Sequence, residues 1–280
     1  GLFYELTDKE RGFLGLSGNG GFLLVRKKDD WSTHLINNDL GSHLIDGVHW
    51  NALVKEIGRS DNIFERLPDE IFHPASMIKI PIAMVFLQIA EDQGLDIIQF
   101  NEKGYGGRTF DQLLRAMVVK SEEEATALLI SYVRQYSHEQ TILEEWGFEN
   151  TSFEPRKTTA NDLAGFLERL FSGLLLKEES REYLLDLMSI QTKNDTQYLG
   201  VLQTLVEGSV FYNKRGTLLD PVTIAGDMGI LKVGNKSYVL VIAGKPDADG
   251  SATFEEMKDS IEKFAKGFSR ILVDILSSCG

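Results

Sequence analysis

The sequence predicts an α+β fold: an antiparallel sheet built from N- and C-terminal segments with flanking helices, plus an inserted all-helical lobe. Two observations lead to this fold class. Strand-like segments occur near both ends of the 280-residue chain, and the apolar period of helices dominates its middle. We expect a single domain over residues 1–280, with the sheet lobe at about 1–70 and 205–280 and the helical lobe at about 71–204.

The N-terminal contribution to the sheet is predicted as a hairpin. Its strands are Gly21–Arg26 and Trp31–Ile36, which are joined by a polar turn at residues 28–30. The following stretch, residues 37–69, is rich in Gly, Asn and Asp and has no strong period. Within that stretch, we interpret only Trp50–Ile57 as helix-like.

The helical middle is predicted from apolar residues that recur every three or four positions. The clearest case runs from Ala75 to about Gly94, and its Pro81 lies in the first turns, where a helix tolerates proline. The same period predicts further helices at Thr109–Val119, Glu122–Tyr136, Asn161–Phe171 and Glu178–Met188.

The C-terminal part returns to strands. The segments Val210–Asn213, Val222–Lys232 and Ser237–Ala243 are rich in β-formers, and residues 233–236 resemble a turn between the last two. A long amphipathic helix, Phe254–Leu276, closes the chain. These strands and the N-terminal hairpin are expected to share one sheet.

Composition and charge exclude several classes of protein. Hydrophobic residues at 42% and charged residues at 25% exclude a wholly disordered chain, and a net charge of -13 argues against a nucleic-acid surface. The net charge favours a cationic or neutral small partner. The longest apolar run, Ile80–Ala90, is shorter than the roughly 20 residues of a membrane span. The single cysteine, Cys279, excludes an internal disulfide and a cysteine-based zinc site.

One short motif could carry nucleophilic chemistry. Ser76 begins an apolar helix, and Lys79 follows one turn later on the same face. A lysine whose pKa is lowered can accept the serine proton, and the helix N-terminus favours the developing negative charge. The alternative is a capping serine followed by a surface lysine. A second Ser-x-x-Lys, Ser260 to Lys263, lies among charged residues and is interpreted as an exposed helix face.

The residues around Ser76 resemble a known family. Residues 72–83 read Phe-His-Pro-Ala-Ser-Met-Ile-Lys-Ile-Pro-Ile-Ala, which is similar to the active-site helix of class A β-lactamases and related penicillin-binding serine enzymes. Their other signatures, Ser-Asp-Asn and Lys-Thr-Gly, correspond in order to Ser121-Glu-Glu and Lys214-Arg-Gly. The resemblance runs from Phe72 to the C-terminus. The first seventy residues match poorly, and the stretch 37–69, which is longer than the family usually places before the nucleophile, is expected to add a flap or a helix beside the site.

The resemblance implies a role for each matching residue. Ser76 would be the acylated nucleophile, Lys79 its proton acceptor, Ser121 a proton relay to the leaving nitrogen, and Lys214 the cation for a substrate carboxylate. The backbone N–H of Ser76 would supply half of an oxyanion hole. We expect the other half from Leu218 or its neighbour.

Further residues are expected to bind substrate. Gly216 and Thr217 complete the strand motif, although strand alternation is expected to turn Thr217 away from the oxyanion. Tyr105, among glycines, is either a mobile aromatic wall of the site or simply a loop tip.

Three departures from the family pattern bear on activity. Glu123 replaces the expected asparagine, cannot donate a hydrogen bond, and would raise the pKa of a nearby Lys79. Arg215 replaces the threonine of the third motif and adds a donor fork for an anion. Glu154, followed by proline, aligns with the family's deacylating glutamate, but the loop after it is short. Glu154 is therefore either that base or an ordinary turn carboxylate.

The sequence thus predicts a serine hydrolase that is acylated at Ser76 by a β-lactam or a related amide or ester. The acyl group is then expected to be hydrolysed slowly. The alternatives are a D-alanyl-D-alanine peptidase or esterase of the same fold, or a catalytically weak penicillin-binding or sensor domain. No metal or organic cofactor is required, and we interpret His43, Asp46 and His49 as surface polar residues because Gly47 interrupts their helical spacing. We expect a small-molecule or peptide substrate, no nucleic acid, no membrane span and a monomer. Assuming that an export signal has been removed, we expect a periplasmic or secreted protein.

Overall fold

The computed structural model describes residues 39–194 and 196–277. The predicted hairpin at 21–36 and Cys279 lie outside the described residues. Short 3-10 turns occur at Ala75–Ile78, Ile98–Asn101 and Tyr198–Val201. The strands and α-helices, in chain order, are β1 (Val48–Glu56), β2 (Asn62–Arg66), α1 (Lys79–Asp92), β3 (Gly104–Tyr105), β4 (Arg108–Thr109), α2 (Phe110–Val118), α3 (Glu123–Val133), α4 (Glu139–Glu145), β5 (Ser152–Phe153), β6 (Arg156–Lys157), α5 (Ala160–Phe171), α6 (Glu178–Asn194), α7 (Leu202–Leu205), β7 (Val210–Leu218), β8 (Ile224–Val233), β9 (Lys236–Pro246) and α8 (Phe254–Ser277).

The main sheet has five antiparallel strands in the order β2-β1-β9-β8-β7. Strand β1, from the N-terminal side of the chain, pairs with β9 along its whole length, from Val48 opposite Pro246 to Glu56 opposite Tyr238. The helices α1 to α6 lie between these strands in sequence. The predicted α+β fold class is confirmed, with the sheet built from both sides of a helical insertion.

The helix-like interpretation of Trp50–Ile57 was wrong, because these residues belong to β1 up to Glu56. Trp50 and Val54 are buried in one core and Leu53 in the other, so both faces of the strand are covered. A strand buried on both faces reads as a continuous apolar run without the alternation that identifies a half-exposed strand. The expected flap or helix is likewise absent within residues 48–66, which form the hairpin β1–β2.

Two hydrophobic cores lie on opposite faces of the sheet. Along β9, Val239 and Val241 pack with the helical core that includes α1, whereas Tyr238 and Leu240 pack with the core under α8. This division follows from the two-residue period of side chains in a strand. The sheet therefore separates the two cores, and β7 is an edge strand of the sheet in the part of the chain that the structure describes.

The predicted helices agree with the observed ones to within a few residues, apart from α6, which runs beyond Met188 to Asn194. Thr109, expected inside its helix, is instead the cap of α2 and forms a reciprocal pair of hydrogen bonds with Gln112. Sequence periodicity did not identify α4, which has only seven residues. Among the described helices, none is long and apolar enough to cross a bilayer.

The second Ser-x-x-Lys motif was wrongly assigned to an exposed face. Ser260 is fully buried on α8, donates its hydroxyl proton to the carbonyl of His43 (2.7 Å) and accepts a bond from the backbone N–H of Ile45 (3.2 Å). The charged neighbours of Ser260 lie on the other side of α8. Ser260 itself forms hydrogen bonds to the segment that precedes β1. Its role in the described structure is therefore to join two elements.

Candidate active site

Ser76 lies on the tight 3-10 turn that precedes α1. The preceding residue, Ala75, has a positive φ of 47° and donates its N–H to Nδ1 of His73 (3.1 Å). A left-handed conformation at a residue with a side chain costs of order 1–3 kcal/mol, and such strain is typical of functional sites. Gly216 of β7 lies directly against this turn, because a Cβ atom there would meet the carbonyl oxygen of Pro74 at 2.8 Å. Only glycine permits this close approach of strand and turn.

Ser76 opens onto a cavity of about 530 Å³, which we call the Ser76 cavity. Most of the residues expected at the site from the sequence line it. Three others were not identified from the sequence, since neither periodicity nor a motif marks them. The complete lining is Ser76, Val119, Lys120, Ser121, Glu123, Gln191, Lys214, Arg215 and Thr217.

The hydroxyl of Ser121 lies between two buried lysines. Nζ of Lys79 is 3.2 Å from Oγ of Ser121, and Nζ of Lys214 is 3.0 Å from the same oxygen. Lys79 also donates to the backbone carbonyl of Ser121 at 2.6 Å. Ser121 has a positive φ of 60° in the connection between α2 and α3. Three segments distant in sequence thus meet at one hydroxyl, which can pass a proton between amines and a bound substrate.

The two lysine amines have lowered pKa values. Burial lowers the pKa of Lys79 below its ordinary value, and the hydrogen bond and negative charge of Glu123 oppose this effect. Burial, followed by the positive charge of Lys79, lowers the pKa of Lys214 to about 7. A lysine whose pKa lies close to neutral pH can both accept and return a proton.

Glu123 binds Lys79 directly, as its replacement of asparagine suggested. Its Oε1 lies 2.7 Å from Nζ of Lys79, and both carboxylate oxygens accept bonds from the guanidinium of Arg156. Burial raises the pKa of Glu123, but the hydrogen bonds from Arg156 and Lys79 outweigh it and lower the pKa to about 2. Glu123 is therefore an anion at neutral pH. Arg156 was not predicted as a site residue, because it lies on the two-residue strand β6, outside the recognised motifs.

Strand β7 is held in place by a buried polar network. Nδ2 of Asn213 donates to both carboxylate oxygens of Asp227 at 3.0 Å, and Thr192 of α6 donates to Oδ1 of Asn213 at 2.7 Å. Burial raises the pKa of Asp227 to about 7 in spite of these bonds. The network fixes Lys214, the residue after Asn213, relative to both α6 and β8.

The direction of the strand N–H groups corrects one expectation. The side-chain amide of Gln191 can be oriented so that both its oxygen and its nitrogen have hydrogen-bond partners. In that orientation its oxygen accepts a hydrogen bond from the backbone N–H of Arg215 at 3.1 Å. Backbone N–H groups two residues apart in a strand point the same way, so the N–H of Thr217 also points away from β8. Thr217 lines the Ser76 cavity, whereas Leu218 lines a neighbouring one. These observations favour Thr217 over Leu218 as the candidate donor of the second oxyanion hydrogen bond, against the expectation that Thr217 turns away from the oxyanion.

Four residues expected at the site are not part of the cavity lining. Lys79 bonds to the lining residue Ser121 and Gly216 lies against the turn that carries Ser76, whereas Glu154 and Tyr105 lie apart from the cavity. Glu154 lies in an ion pair with Arg134, with Oε2 at 2.8 Å from Nη1, and its side chain is 61% exposed. Tyr105 packs against the helical core with its ring edge-on to Tyr132, at 5.8 Å between centroids. Tyr105 is therefore a half-buried packing residue here, not an exposed loop tip.

No group of three His, Cys, Asp or Glu side chains that could hold a metal ion occurs in residues 39–194 and 196–277. His49 lies on β1, and its Nε2 is 2.8 Å from Oε1 of Glu70. His43 belongs to the preceding turn, where the segment bonds to Ser260.

The charge of the cavity is opposite to the charge of the whole chain. Lys120, Lys214 and Arg215 line it, the amine of Lys79 lies beside it, and Glu123 is the only carboxylate in its described lining. The net charge of -13 therefore does not predict the local field. Clefts lined mainly by one sign of charge concentrate ligands of the opposite sign, so the lining of this cavity favours anionic ligands.

Known proteins resemble this chain in sequence pattern and in fold. A sequence model described as the β-lactamase enzyme family matches residues 36–276. Among solved structures, the TLA-3 extended-spectrum β-lactamase superposes with a TM-score of 0.72 at 16% identity, covering 86% of this chain and 100% of that one. The structure of PBP-A gives 0.68 at 18% identity, covering 86% and 96%. A class A β-lactamase representative from Bacteroides cellulosilyticus gives 0.68 at 13%, covering 85% and 98%. The comparison with curated proteins gave no match.

Proposed function

Because the chain belongs to the β-lactamase enzyme family, we propose that it is a serine hydrolase of the class A type, acylated at Ser76 by a β-lactam or a related amide or ester. The observation that carries this proposal is the meeting of Lys79 and Lys214 at the hydroxyl of Ser121, in the cavity that Ser76 lines. A structural neighbour, a PBP-A variant with a TM-score of 0.66 at 20% identity, is described as an acyl-enzyme complex with penicillin G.

In the proposed reaction, Oγ of Ser76 bonds to the substrate carbonyl carbon as its proton passes to the amine of Lys79. Ser121 then delivers a proton to the leaving nitrogen as the carbon–nitrogen bond breaks, and takes one from the neighbouring lysine amine. The backbone N–H groups of Ser76 and Thr217 stabilise the oxyanion. Lys214 and Arg215 bind a substrate carboxylate, which suits the cationic lining of the cavity.

Release of the acyl group is proposed to be slow. Deacylation requires a base within hydrogen-bond reach of a water beside the ester. Glu154 pairs with Arg134 and does not line the Ser76 cavity, and Glu123, with its pKa lowered to about 2, is a weak base. This favours a second candidate function, a penicillin-binding protein that is acylated but turns over poorly.

The decisive experiment is intact-mass spectrometry of the protein after mixing with benzylpenicillin and, separately, with a simple ester. A persistent adduct of the acyl mass supports a slow acylating enzyme. Rapid product formation with only transient adduct supports an efficient hydrolase. Absence of both adduct and product would show that the fold serves another purpose.

The remaining expectations fit this proposal. The chemistry needs no metal or organic cofactor, because the nucleophile, the amines and the oxyanion donors are all supplied by the chain. We propose a small-molecule or peptide substrate, a monomeric protein and an extracytoplasmic location, where β-lactams and similar compounds are encountered.

A further inference from the structure

The lining of the Ser76 cavity carries more positive charge than one substrate carboxylate would match. Within the described residues it has three cationic side chains and one carboxylate, which are Lys120, Lys214, Arg215 and Glu123. Glu123 is already bonded to Lys79 and Arg156, so it does not neutralise the three cations of the lining. The proposed reaction places one substrate carboxylate at Lys214 and Arg215. Lys120 is left as a cation of the described lining to which that reaction assigns no anion.

The position of Lys120 places its charge on the leaving side of the site. Lys120 directly precedes Ser121, the residue proposed to protonate the leaving nitrogen. Consecutive side chains of an extended segment point to opposite faces. Ser121 instead has a left-handed φ of 60°, and both residues line the Ser76 cavity. Nζ of Lys214 lies 3.0 Å from Oγ of Ser121, so the two lysines approach the same hydroxyl from different segments.

The amine of Lys120 is not engaged by a carboxylate of the described residues. Its side chain is exposed, and within residues 39–194 and 196–277 it forms no ion pair. The adjacent Glu122 is held by Arg108, with Oε1 at 2.6 Å from Nη1. The hydrogen bond from Arg108 is the main cause that lowers the pKa of Glu122, and the charge of Lys120 contributes least. Lys120 can therefore turn its amine toward a bound group without breaking an ion pair.

We propose that Lys120 is a specificity-determining residue, which binds a second anionic group on the leaving side of the substrate, in addition to the carboxylate at Lys214 and Arg215. This inference rests on the proposed function and names its substrate class: amides or esters whose leaving group carries two acidic groups. The cavity of about 530 Å³ falls in the range of small-molecule sites, about 300–1,000 Å³, and has room for the larger leaving group.

The test compares three hippuryl esters, whose leaving groups are lactate, malate and malate with its second carboxylate blocked as a methyl ester. Acylation of the full chain is followed by intact mass. The malate-to-lactate rate ratio is then compared between variants, because the intrinsic reactivity of each ester cancels in that comparison. Lys120→Gln should lower the ratio by about threefold to fivefold, which corresponds to about 0.7–1 kcal/mol, as expected for an exposed ion pair. Lys120→Arg keeps the charge and should keep the ratio.

Two controls separate charge from shape and from general effects. The blocked malate ester has the size of malate without the second charge, so its ratio to lactate should be the same in Lys120→Gln as in the wild type. Lys263→Gln removes the same charge from an exposed lysine on α8 that lines neither described cavity, and should leave every ratio unchanged. The wild-type malate-to-lactate ratio should also fall between about 0.1 M and about 1 M salt, as the screening length shortens from about 10 Å to about 3 Å.

Thermal unfolding confirms that each variant is folded, and the outcomes are distinct. A malate-to-lactate ratio that Lys120→Gln leaves unchanged, or that Lys263→Gln lowers equally, would overturn the role of Lys120 while an adduct on Ser76 still supported the proposed function. An equal fall with the blocked ester would show an effect of shape and would also overturn it. No adduct on Ser76 with any of the esters would overturn the proposed function, and the inference with it.

Discussion

The ion pair between Glu123 and Lys79 should restrain acylation, and Glu123→Asn tests this directly. The carboxylate oxygen lies 2.7 Å from the amine, and the glutamate side chain is 61% exposed. At that distance, with an effective dielectric constant of about 40–80 for a mostly exposed carboxylate, Coulomb's law gives about 1.5–3 kcal/mol. Removing the negative charge lowers the pKa of Lys79, because the ammonium form loses its partner while Arg156 remains nearby. The neutral amine should then increase about tenfold to a hundredfold.

The measurement is the second-order rate of acylation by benzylpenicillin, followed by intact mass at neutral pH. We expect Glu123→Asn to raise this rate by about tenfold or more, since asparagine also supplies an amide donor. Glu124→Asn is the matched control, because it removes the same charge from the next residue of α3, which does not line the cavity. An unchanged or lower rate in Glu123→Asn, or an equal gain in the control, would show that the ion pair does not restrain acylation.

Three further predictions follow from the same geometry. Because the pKa of Lys214 is about 7, its amine is cationic below that pH and neutral above it, so KM for a carboxylate-bearing substrate should rise as pH passes 7; a flat KM profile, or the same rise in Lys214→Arg, would count against this role. Glu154→Gln should leave the deacylation rate unchanged in a pulse-chase of the acyl-enzyme, because Arg134 holds the carboxylate elsewhere; a fall of about 100-fold would identify it as the base. Gly216→Ala should lower the free energy of unfolding by about 1–3 kcal/mol in urea titrations, because its Cβ would meet Pro74; an unchanged midpoint would contradict the close packing.

The parts of the fold that the sequence predicted are those with a local pattern. The helix that contains Ile82 and Phe86 repeats its apolar residues at helical spacing, and β9 is rich in β-branched residues. Strand β1 was misread because Trp50 and Leu53 serve different cores, so its burial depends on partners that are remote in sequence. The exposed assignment of Ser260 failed for a similar reason, since one helix carries a charged face and a buried face.

The site residues also divide into those that a local sequence motif marks and those that depend on contacts remote in sequence. Ser76, Lys79 and Lys214 belong to short motifs that a sequence displays, and the structure brings them toward one cavity. Arg156 and Gln191 were missed because each acts through a contact with a residue far away in the chain. The orientation of Thr217 was misjudged. Strand alternation gives the direction of each backbone N–H only when the direction of one of them is known, and the structure supplies that direction for Arg215.

The most direct test of the central claim locates the acyl group on the chain. Wild-type protein, Ser76→Ala and the control Ser60→Ala, which alters an exposed serine bonded to Asp61, are each mixed with benzylpenicillin and analysed by intact mass and peptide mapping. We expect a slowly decaying adduct on the peptide that contains Ser76 in the wild type and the control, and none in Ser76→Ala, with all three proteins folded. An adduct that persists in Ser76→Ala, or one that maps to another residue, would contradict this expectation.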